Sequence, residues 1–310
     1  MTKVSYIVKF KNQEQYIQNV INSLKNIKGD FRKEFIIIDE ASTNKSSELI
    51  KEHSKELPNV LIISDNNNSQ SLLINAISLA HGKYIQFVPG DHVVDKNSSL
   101  YLLDTLNKHN AKIALGTTGY FDFKNMQSSE QKKYDKEKFI TNPITSLLKI
   151  NPLKIKELCS SALMISKQII DDLSILKNIY NNKKINNELS LVLIIAAKNG
   201  FVFSSKHISY APLIRNRDEF INMKKSCTVE FLLAIKDFIK HEKQYAKMYK
   251  KEIYRAVIAF LWTIEQNKLL FLPTYLWSKI FAPKIIKVED ISDLIDAKLE
   301  IFSKNFNLST

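Results

Sequence analysis

Apolar and polar positions follow two periods over the first 120 residues, and each change of period marks a new element. The apolar residues 35–38, three of them β-branched, indicate a strand that is buried on both faces, and Val4–Phe10 also has the pattern of a strand. Between these runs, apolar residues recur three and four positions apart, which predicts amphipathic helices. The pattern predicts strands at 4–10, 35–39, 60–64 and 84–88, and helices at 16–27, 45–56 and 72–80.

The resulting order is βαβαβαβ. Such alternation predicts an α/β fold with a mostly parallel, doubly wound sheet, right-handed crossovers and helices on both faces. Two of the six glycines have predicted roles. Gly82 is expected to be the left-handed C-cap of the third helix, and Gly90 is expected to form the turn after the fourth strand.

From about residue 219 onward the spacing is helical only, with apolar positions such as Phe231, Ile235, Val257 and Phe260. We expect a first domain over 1–218, with halves 1–116 and 117–218, and a helical C-terminal region over 219–310. The segment Leu269–Trp277 interleaves aromatic and apolar residues near lysines. Both core packing and peripheral contact with a membrane surface explain that composition.

The second predicted strand ends in two carboxylates, Asp39 and Glu40. In open α/β sheets, ligands bind in the crevice outside the carboxyl ends of the strands, so these acids stand where a polar ligand would be recognised. A structural alternative is equally consistent with the sequence. Residues 42–44 are good N-cap residues for the next helix, and the acidic pair would then only favour that helix terminus.

The fourth predicted strand also runs into an acid, Asp91, which His92 follows. Both strand ends should lie at one edge of the sheet. A carboxylate beside an imidazole is a suitable ligand pair for the Mg²⁺ or Mn²⁺ ion that accompanies a nucleoside diphosphate. For His92, a hydrogen bond to the backbone of its own turn is the alternative.

Composition narrows the class of protein. The formal charge of +13 is carried mostly by lysine, without the arginine and aromatic clusters typical of nucleic-acid binding. An anionic substrate or surface fits this charge, and so does the lysine-rich usage of an AT-rich genome. The two cysteines have no metal-binding spacing, and no apolar run is long enough to span a bilayer. Without a signal-like N-terminal segment, we expect a cytoplasmic protein, peripheral at the inner face of the membrane if it contacts lipid.

Three segments resemble motifs of family 2 glycosyltransferases, the inverting enzymes with the GT-A fold. The opening strand with Phe10, Asn12 and Glu14 is similar to the family's P-x-Y-N-x-E turn, with Lys9 in place of proline. Residues 36–44, read as I-I-I-D-E-A-S-T-N, resemble I-I-V-D-D-G-S-T-D. Residues 80–87 resemble A-x-G-x-Y-I-x-F, which leads to the metal motif D-x-D; here only its second acid remains, as Pro89-Gly90-Asp91.

The resemblance implies a site for a nucleotide-diphosphate sugar, with a UDP sugar favoured, and a divalent cation, Mn²⁺ or Mg²⁺. By this resemblance Asp91 and His92 would bind the metal, with Asp91 serving catalysis, and Glu188 would be the general base. The implied nucleotide-sugar contacts are Phe10, Asn12, Glu14, Asp39, Glu40, Gly90, Arg215 and Arg217. The implied acceptor is a surface glycan or a lipid-linked saccharide.

The sequence also departs from the family pattern. Leu73 and Ile74 replace an arginine–asparagine pair in the helix before residue 80, Leu189 replaces the family's usual base, and Ile195 replaces a helix arginine. Glu188 therefore has two interpretations, a shifted general base or a solvent-facing acid in the first turn of a helix. The departures motivate a second hypothesis, a catalytically weakened nucleotide-sugar-binding protein. A nucleotidyltransferase, the third, would need a glycine-rich loop after strand one, which 9–13 does not provide.

Overall fold

A computed structural model describes residues 2–64, 69–129, 137–140, 148, 162–172, 188–214, 216–264 and 287–306. The chain divides into two compact units. The first unit contains Met1–Thr141, Glu157–Ile185 and Asn199–Leu213, and the second contains Asn142–Lys156, Asn186–Lys198 and Ile214–Thr310.

The first unit begins with the predicted parallel series. Its strands lie in the order β3 (Val60–Ser64), β2 (Arg32–Asp39), β1 (Lys3–Phe10) and β4 (Tyr84–Pro89), and every neighbouring pair in this group is parallel. The alternating pattern therefore predicted this half of the sheet correctly. The elements are β1 (Lys3–Phe10), α1 (Glu14–Lys25), β2 (Arg32–Asp39), α2 (Ser46–His53) with a 3₁₀ turn (Ser54–Glu56), β3 (Val60–Ser64), α3 (Ser69–Leu79) and β4 (Tyr84–Pro89).

One face of this sheet and the apolar side of α1 form a buried core in the first unit. Strand residues such as Tyr6, Val8 and Phe10 are buried in one cluster with the helix residues Ile17 and Ile21. Burying one such side chain stabilises the fold by roughly 1.5–3 kcal/mol. This core fixes the ends of the strands, which is where the candidate site lies.

The remaining strands of the first unit turn the sheet from parallel to mixed. β9 (Leu163–Ser166) lies antiparallel between β4 and β6 (Ile113–Asp122), and β10 (Phe201–Pro212) is parallel to β6 with two register shifts. The whole order is β3-β2-β1-β4-β9-β6-β10-β5, with β7 on β6 and β8 on β10. These elements are β5 (Val93–Val94), α4 (Ser98–Lys108), β6 (Ile113–Asp122), β7 (Gln127–Ser129), β8 (Lys138–Ile140), β9 (Leu163–Ser166), α5 (Lys167–Asp172) and β10 (Phe201–Pro212).

Gly82 does not have the predicted role of a left-handed C-cap. α3 ends at Leu79, and the positive-φ glycines among the described residues are Gly29 and Gly200. A side chain at Gly82 would instead collide with the backbone and hydroxyl of Ser5. The Gly82 N–H donates to Ser5 Oγ at 2.8 Å, so glycine is needed here for a close approach to β1.

The described part of the second unit is helical, as the spacing after residue 219 predicts. The long helix Arg217–His241 packs against the helices Lys250–Ile264 and Val288–Phe306. The rings of Phe231 and Phe260 stack with their centroids 3.5 Å apart. None of the described helices combines the length and the apolar composition needed to cross a bilayer. The segment Leu269–Trp277 lies outside the described residues. The helices are α6 (Glu188–Asn199), α7 (Arg217–His241), α8 (Lys243–Met248), α9 (Lys250–Ile264) and α10 (Val288–Phe306).

Candidate functional site

The ends of three parallel strands lie level at one edge of the sheet. Phe10 at the end of β1 is in register with Asp39 at the end of β2, and Lys9 is in register with Pro89 at the end of β4. Backbone hydrogen bonds continue past the strands, from Glu40 N to Phe10 O at 2.9 Å and from Gly90 N to Lys9 O at 2.7 Å. The two strand ends that carry the predicted acids are therefore separated only by β1.

Asp39 is nearly buried, with 6% of its surface exposed. Its Oδ1 accepts a hydrogen bond from the Ser42 backbone N–H at 3.1 Å, and its Oδ2 accepts one from the hydroxyl of Ser47 in the first turn of α2. The carboxylate thus supports the loop and the start of the helix. Because each carboxylate oxygen has two lone pairs, these bonds still leave acceptor capacity for a ligand.

The predicted capping residues lie just outside α2, which begins at Ser46 with Lys45 as its N-cap residue. Lys45 makes no side-chain capping bond. Instead, Asn44 Oδ1 accepts from Ser46 N at 3.0 Å. The alternative interpretation, that Asp39 and Glu40 only favour the start of α2, is therefore partly supported, because Asp39 does contact the first turn of this helix.

Glu40 occupies a tight turn directly after β2. The Ala41 N–H donates to Asp39 O at 3.0 Å, and Ala41 has a left-handed φ of 51°. The side chain of Glu40 pairs with Lys9, whose Nζ lies 3.8 Å from Glu40 Oε1. The main chain and a neighbouring cation thus both restrict this second carboxylate.

A second group of hydrogen bonds joins the loop after β1 to the loop after β2. Asn12, with a left-handed φ of 52°, accepts from the Thr43 N–H at 2.8 Å, and its own N–H donates to Ser42 Oγ at 3.1 Å. Glu14 Oε2 accepts from the Lys45 N–H at 3.2 Å. Asn12 and Glu14 therefore fix the two loops to each other.

Gly90 lies close to the side chain of Phe10 at this edge of the sheet. The Phe10 side chain is fully buried, and a Cβ at residue 90 would collide with its ring and with Gln13. Glycine lets the chain after β4 pass close over β1, which confirms the predicted turn at Gly90. A ligand at this edge would meet the main chain of residue 10 rather than its ring.

Asp91 and His92 follow this turn. Asp91 keeps 32% of its side chain exposed, and its Oδ1 lies 3.7 Å from His92 Nε2. Neighbouring ligands of an octahedral ion, each about 2.1 Å from it, lie about 3.0 Å apart, so these two atoms would have to come closer together to share a Mg²⁺ or Mn²⁺ ion. Within the described part of the chain no three His, Cys, Asp or Glu side chains group around one point. A bound ion would need phosphate and water to complete its shell.

Three aromatic side chains beside this edge were not predicted from the sequence. The rings of Tyr16 and Phe123 lie 4.7 Å apart, and those of Phe121 and Phe123 lie 4.8 Å apart in an edge-to-face arrangement. Asp122 shapes the turn that carries Phe123, by accepting from Lys124 N at 3.1 Å and Asn125 Nδ2 at 2.9 Å. The available signal was a pair of phenylalanines two residues apart, Phe121 near the end of β6 and Phe123 in the turn that follows. Their partner Tyr16 lies on α1, far away in sequence.

Glu34 is a buried carboxylate that the sequence analysis also missed. It lies near the start of β2, where its oxygens accept from the Ser5 hydroxyl and from the backbone N–H groups of His81 and Gly82, and pair with Lys3. Burial alone would raise the pKa of Glu34, but the bonds from Lys3, Ser5 and His81 outweigh it and the pKa is lowered. This carboxylate ties β1, β2 and the approach to β4 together, at the end of the strands away from the site.

The predicted general base, Glu188, and the predicted phosphate contact Arg217 belong to the second unit. Glu188 is the first residue of α6 and is only 8% exposed, so the solvent-facing alternative for it is wrong. Leu189 and Ile195, where the family motif has an acid and an arginine, are buried apolar residues of the same helix. Arg217 is exposed at the start of α7, and Arg215 lies outside the described residues.

The sequence of residues 5–174 matches the family Glycosyl transferase family 2. A poly(ribitol-phosphate) beta-glucosyltransferase of Bacillus spizizenii is 29% identical over 120 residues, which cover 37% of this chain and 19% of that protein. Glycosyltransferase GlyA of Streptococcus pneumoniae is 28% identical over 127 residues, covering 39% of this chain and 17% of that protein. The matched part thus spans about a fifth of the length of these relatives.

Solved structures show the same fold at low identity. Residues 1–349 of Staphylococcus aureus TarS, in complex with UDP, have a TM-score of 0.53 at 15% identity, covering 96% of this chain and 91% of that one. A mannosyltransferase of Pyrobaculum calidifontis, in complex with GDP-Man and Mn²⁺, has a TM-score of 0.52 at 10% identity, covering 96% and 80%. The mixed α/β sheet flanked by helices is therefore a GT-A fold.

Proposed function

The chain belongs to glycosyl transferase family 2, and from this premise we propose that it transfers a sugar, with inversion, from a nucleotide-diphosphate sugar to a saccharide acceptor. The acceptor would be a surface glycan or a lipid-linked saccharide in polysaccharide biosynthesis. One observation carries the proposal. Asp39, Glu40 and Asp91 lie on strand ends that are level at one sheet edge, and their loops are hydrogen-bonded in place.

The donor is proposed to be a UDP sugar. The S. aureus TarS structure is a complex with UDP, and a further structure of the same protein is a complex with UDP-GlcNAc. In this chain Asp39 and Glu40 would accept hydrogen bonds from N–H and O–H groups of the base and ribose. Asn12 and Glu14 would act by holding the loops that surround the nucleoside, and Gly90 by leaving room beside it.

The diphosphate would lie against Asp91 and His92. A Mn²⁺ or Mg²⁺ ion held by these two side chains would supply the positive charge that stabilises the departing diphosphate. Arg217, with Arg215 near it in sequence, would add charge-assisted hydrogen bonds to the phosphate oxygens. The GDP-Man and Mn²⁺ complex of the mannosyltransferase supports a divalent cation in a protein of this fold.

Transfer with inversion requires a base for the acceptor hydroxyl. Its oxygen would attack the anomeric carbon from the face opposite the diphosphate, the bond from that carbon to the diphosphate oxygen would break, and the hydroxyl proton would pass to Glu188. A carboxylate serves as general base when it comes within hydrogen-bond reach of that hydroxyl. The low exposure of Glu188 supports this role over that of a surface acid.

The second candidate is a nucleotide-sugar-binding protein with weakened catalysis. It is favoured by Leu189 and Ile195, which are buried among apolar residues of α6 where the family motif has charged ones. Neither residue can supply a base or a phosphate contact. The two candidates share the donor site and differ in turnover.

Calorimetry and a transfer assay separate them. We expect UDP to bind, and to bind more tightly with Mn²⁺ present, and UDP-glucose or UDP-GlcNAc to release UDP slowly in Mn²⁺ even without an acceptor. Binding without any release across a panel that includes GDP-mannose would favour the second candidate. The absence of nucleotide binding would contradict both.

Asp91→Asn tests the proposed cation. This variant should bind UDP equally with and without Mn²⁺, because the exposed carboxylate oxygen that prefers a hard cation loses its charge. Asp104→Asn is the matched control, since it removes one exposed carboxylate from α4. An undiminished Mn²⁺ effect in Asp91→Asn would refute the assignment.

A further inference from the structure

Lys9 is a partly buried cation in the sheet, at the edge where the nucleotide is proposed to bind. It lies on β1 in register with two apolar residues, Ile38 on β2 and Pro89 on β4, and 28% of its side chain is exposed. Removing an ammonium group from water is unfavourable unless a carboxylate or other acceptor compensates. Glu40, 3.8 Å from the Lys9 Nζ, is such a partner.

Glu40 is fixed by its main chain before its side chain is considered. Its N–H donates to Phe10 O at 2.9 Å, and the turn from Asp39 O to Ala41 N at 3.0 Å closes around it. Its side chain is only 17% exposed. The remaining freedom lies in the side-chain torsions, and the ion pair with Lys9 restricts these.

The Lys9–Glu40 pair also reduces the negative charge at this edge of the sheet. Asp39 and Glu40 are consecutive acids, and two negative charges so close together repel each other. An anionic nucleotide would add to this repulsion. A lysine on the adjacent strand offsets the negative charge of Glu40 and so keeps both carboxylates available as acceptors at the edge.

We infer that Lys9 is a positioning residue for nucleoside recognition, which acts through Glu40 and not by contact with the diphosphate. The inference rests on the proposed nucleotide site and names the part of the ligand that this pair serves, the base and ribose. Lys9 fixes the Glu40 carboxylate so that it accepts hydrogen bonds from nucleoside N–H or O–H donors.

The experiment measures affinities for uridine and UDP, in Mn²⁺, for Lys9→Met, Glu40→Gln and the double variant. Lys9→Met keeps the length and apolar stem of the side chain. We expect each single variant to weaken both ligands by about tenfold, the scale of one charge-assisted hydrogen bond. The double variant should be no weaker than Glu40→Gln, because both changes remove one interaction.

Two controls separate positioning from general structure. Lys9→Arg keeps the charge and should retain affinity within about threefold. Lys25→Met removes a lysine whose Nζ lies 2.8 Å from Glu56 Oε2 in an exposed pair, and should change neither affinity. Thermal unfolding of every variant checks that the sheet is intact.

Three results would overturn the inference while leaving the donor site in place. The first is a loss of affinity for UDP with no loss for uridine, which would indicate direct contact of Lys9 with the phosphates. The second is a fully additive loss of affinity in the double variant. The third is unchanged affinity for both ligands in Lys9→Met. If Lys9→Met fails to fold, equal affinity of Lys9→Arg and wild type supports the inference, and a tenfold loss in Lys9→Arg contradicts it. Failure of the wild type to bind either ligand would refute the proposed site itself.

Discussion

The Thr43 backbone N–H donates to Asn12 Oδ1 at 2.8 Å and thereby joins the loop after β1 to the loop after β2. Asn12 holds this position with a left-handed φ of 52°, a conformation that asparagine tolerates better than most residues. The bond ties two loops of the candidate nucleotide site across adjacent strands. One residue therefore contributes both its side chain and its backbone conformation.

Replacing Asn12 separates these two contributions. Asn12→Gly should lower the free energy of unfolding by about 1 kcal/mol, since it loses the hydrogen bond and keeps the left-handed backbone accessible. Asn12→Ala should lower it by about 2 kcal/mol, because alanine adds the cost of a left-handed φ. Urea unfolding measures both. Equal losses in the two variants would mean that the backbone conformation carries no cost.

Ala41 should be improved by glycine. Its φ of 51° is left-handed, and it lies in the turn between Glu40 and Ser42, where the family motif has glycine. Relief of the strain should outweigh the greater chain entropy of glycine, so Ala41→Gly should raise the free energy of unfolding by roughly 0.5–1 kcal/mol. The measurement is again urea unfolding.

Ala297→Gly is the matched control for this substitution. Ala297 is exposed in the interior of α10, where glycine should cost about 1 kcal/mol relative to alanine. Opposite signs for the two substitutions are expected. A loss of stability in both would show that residue 41 does not carry strain.

The sequence predicted the part of the fold that depends on local periodicity. The strands ending at Phe10, Asp39 and Pro89 follow from apolar runs, and their common edge follows because parallel strands end on the same side. The pairing of β9 between β4 and β6 could not be predicted, because an antiparallel strand that returns from residue 163 leaves no local signal.

The side-chain contacts of the candidate site were predicted less completely than the fold. Asp39, Glu40 and Asp91 were identifiable because each follows an apolar run. The contact of Lys9 with Glu40 depends on the register of two strands, and that of Tyr16 with Phe123 depends on a distant hairpin. Gly82 illustrates the same limit. Its position after a helix indicates a cap, whereas its actual constraint is the approach of β1.

Glu34 should make stability depend on pH in the acidic range. Because its pKa is lowered in the folded protein, its contribution is complete above the ordinary glutamate value, about 4.3, and is lost as pH falls through the lowered folded value. Glu34→Gln should cost about 1.5–3 kcal/mol at pH 7, the scale of hydrogen bonds to a charged group. Unfolding measured from pH 7 to pH 3 should then show a weaker acid dependence in the variant.

Glu56→Gln is the control for the pH experiment. The hydrogen bond from Lys25 lowers the pKa of Glu56 as well, but this pair is exposed and screened by solvent. The control should therefore follow the wild-type curve. An acid dependence that is unchanged in Glu34→Gln would place the responsible carboxylate elsewhere.

Glu188→Gln should separate donor binding from catalysis. If Glu188 is the general base, the variant should bind UDP as the wild type does and transfer sugar at least about a hundredfold more slowly, since glutamine cannot accept the acceptor proton. Glu289→Gln is the matched control, because Glu289 is an exposed acid in the first turn of α10 and should not affect transfer. Calorimetry with UDP and the rate of transfer from UDP-glucose or UDP-GlcNAc give the two quantities. Wild-type turnover in Glu188→Gln would exclude this residue as the base, and weakened UDP binding would assign it to the donor side instead.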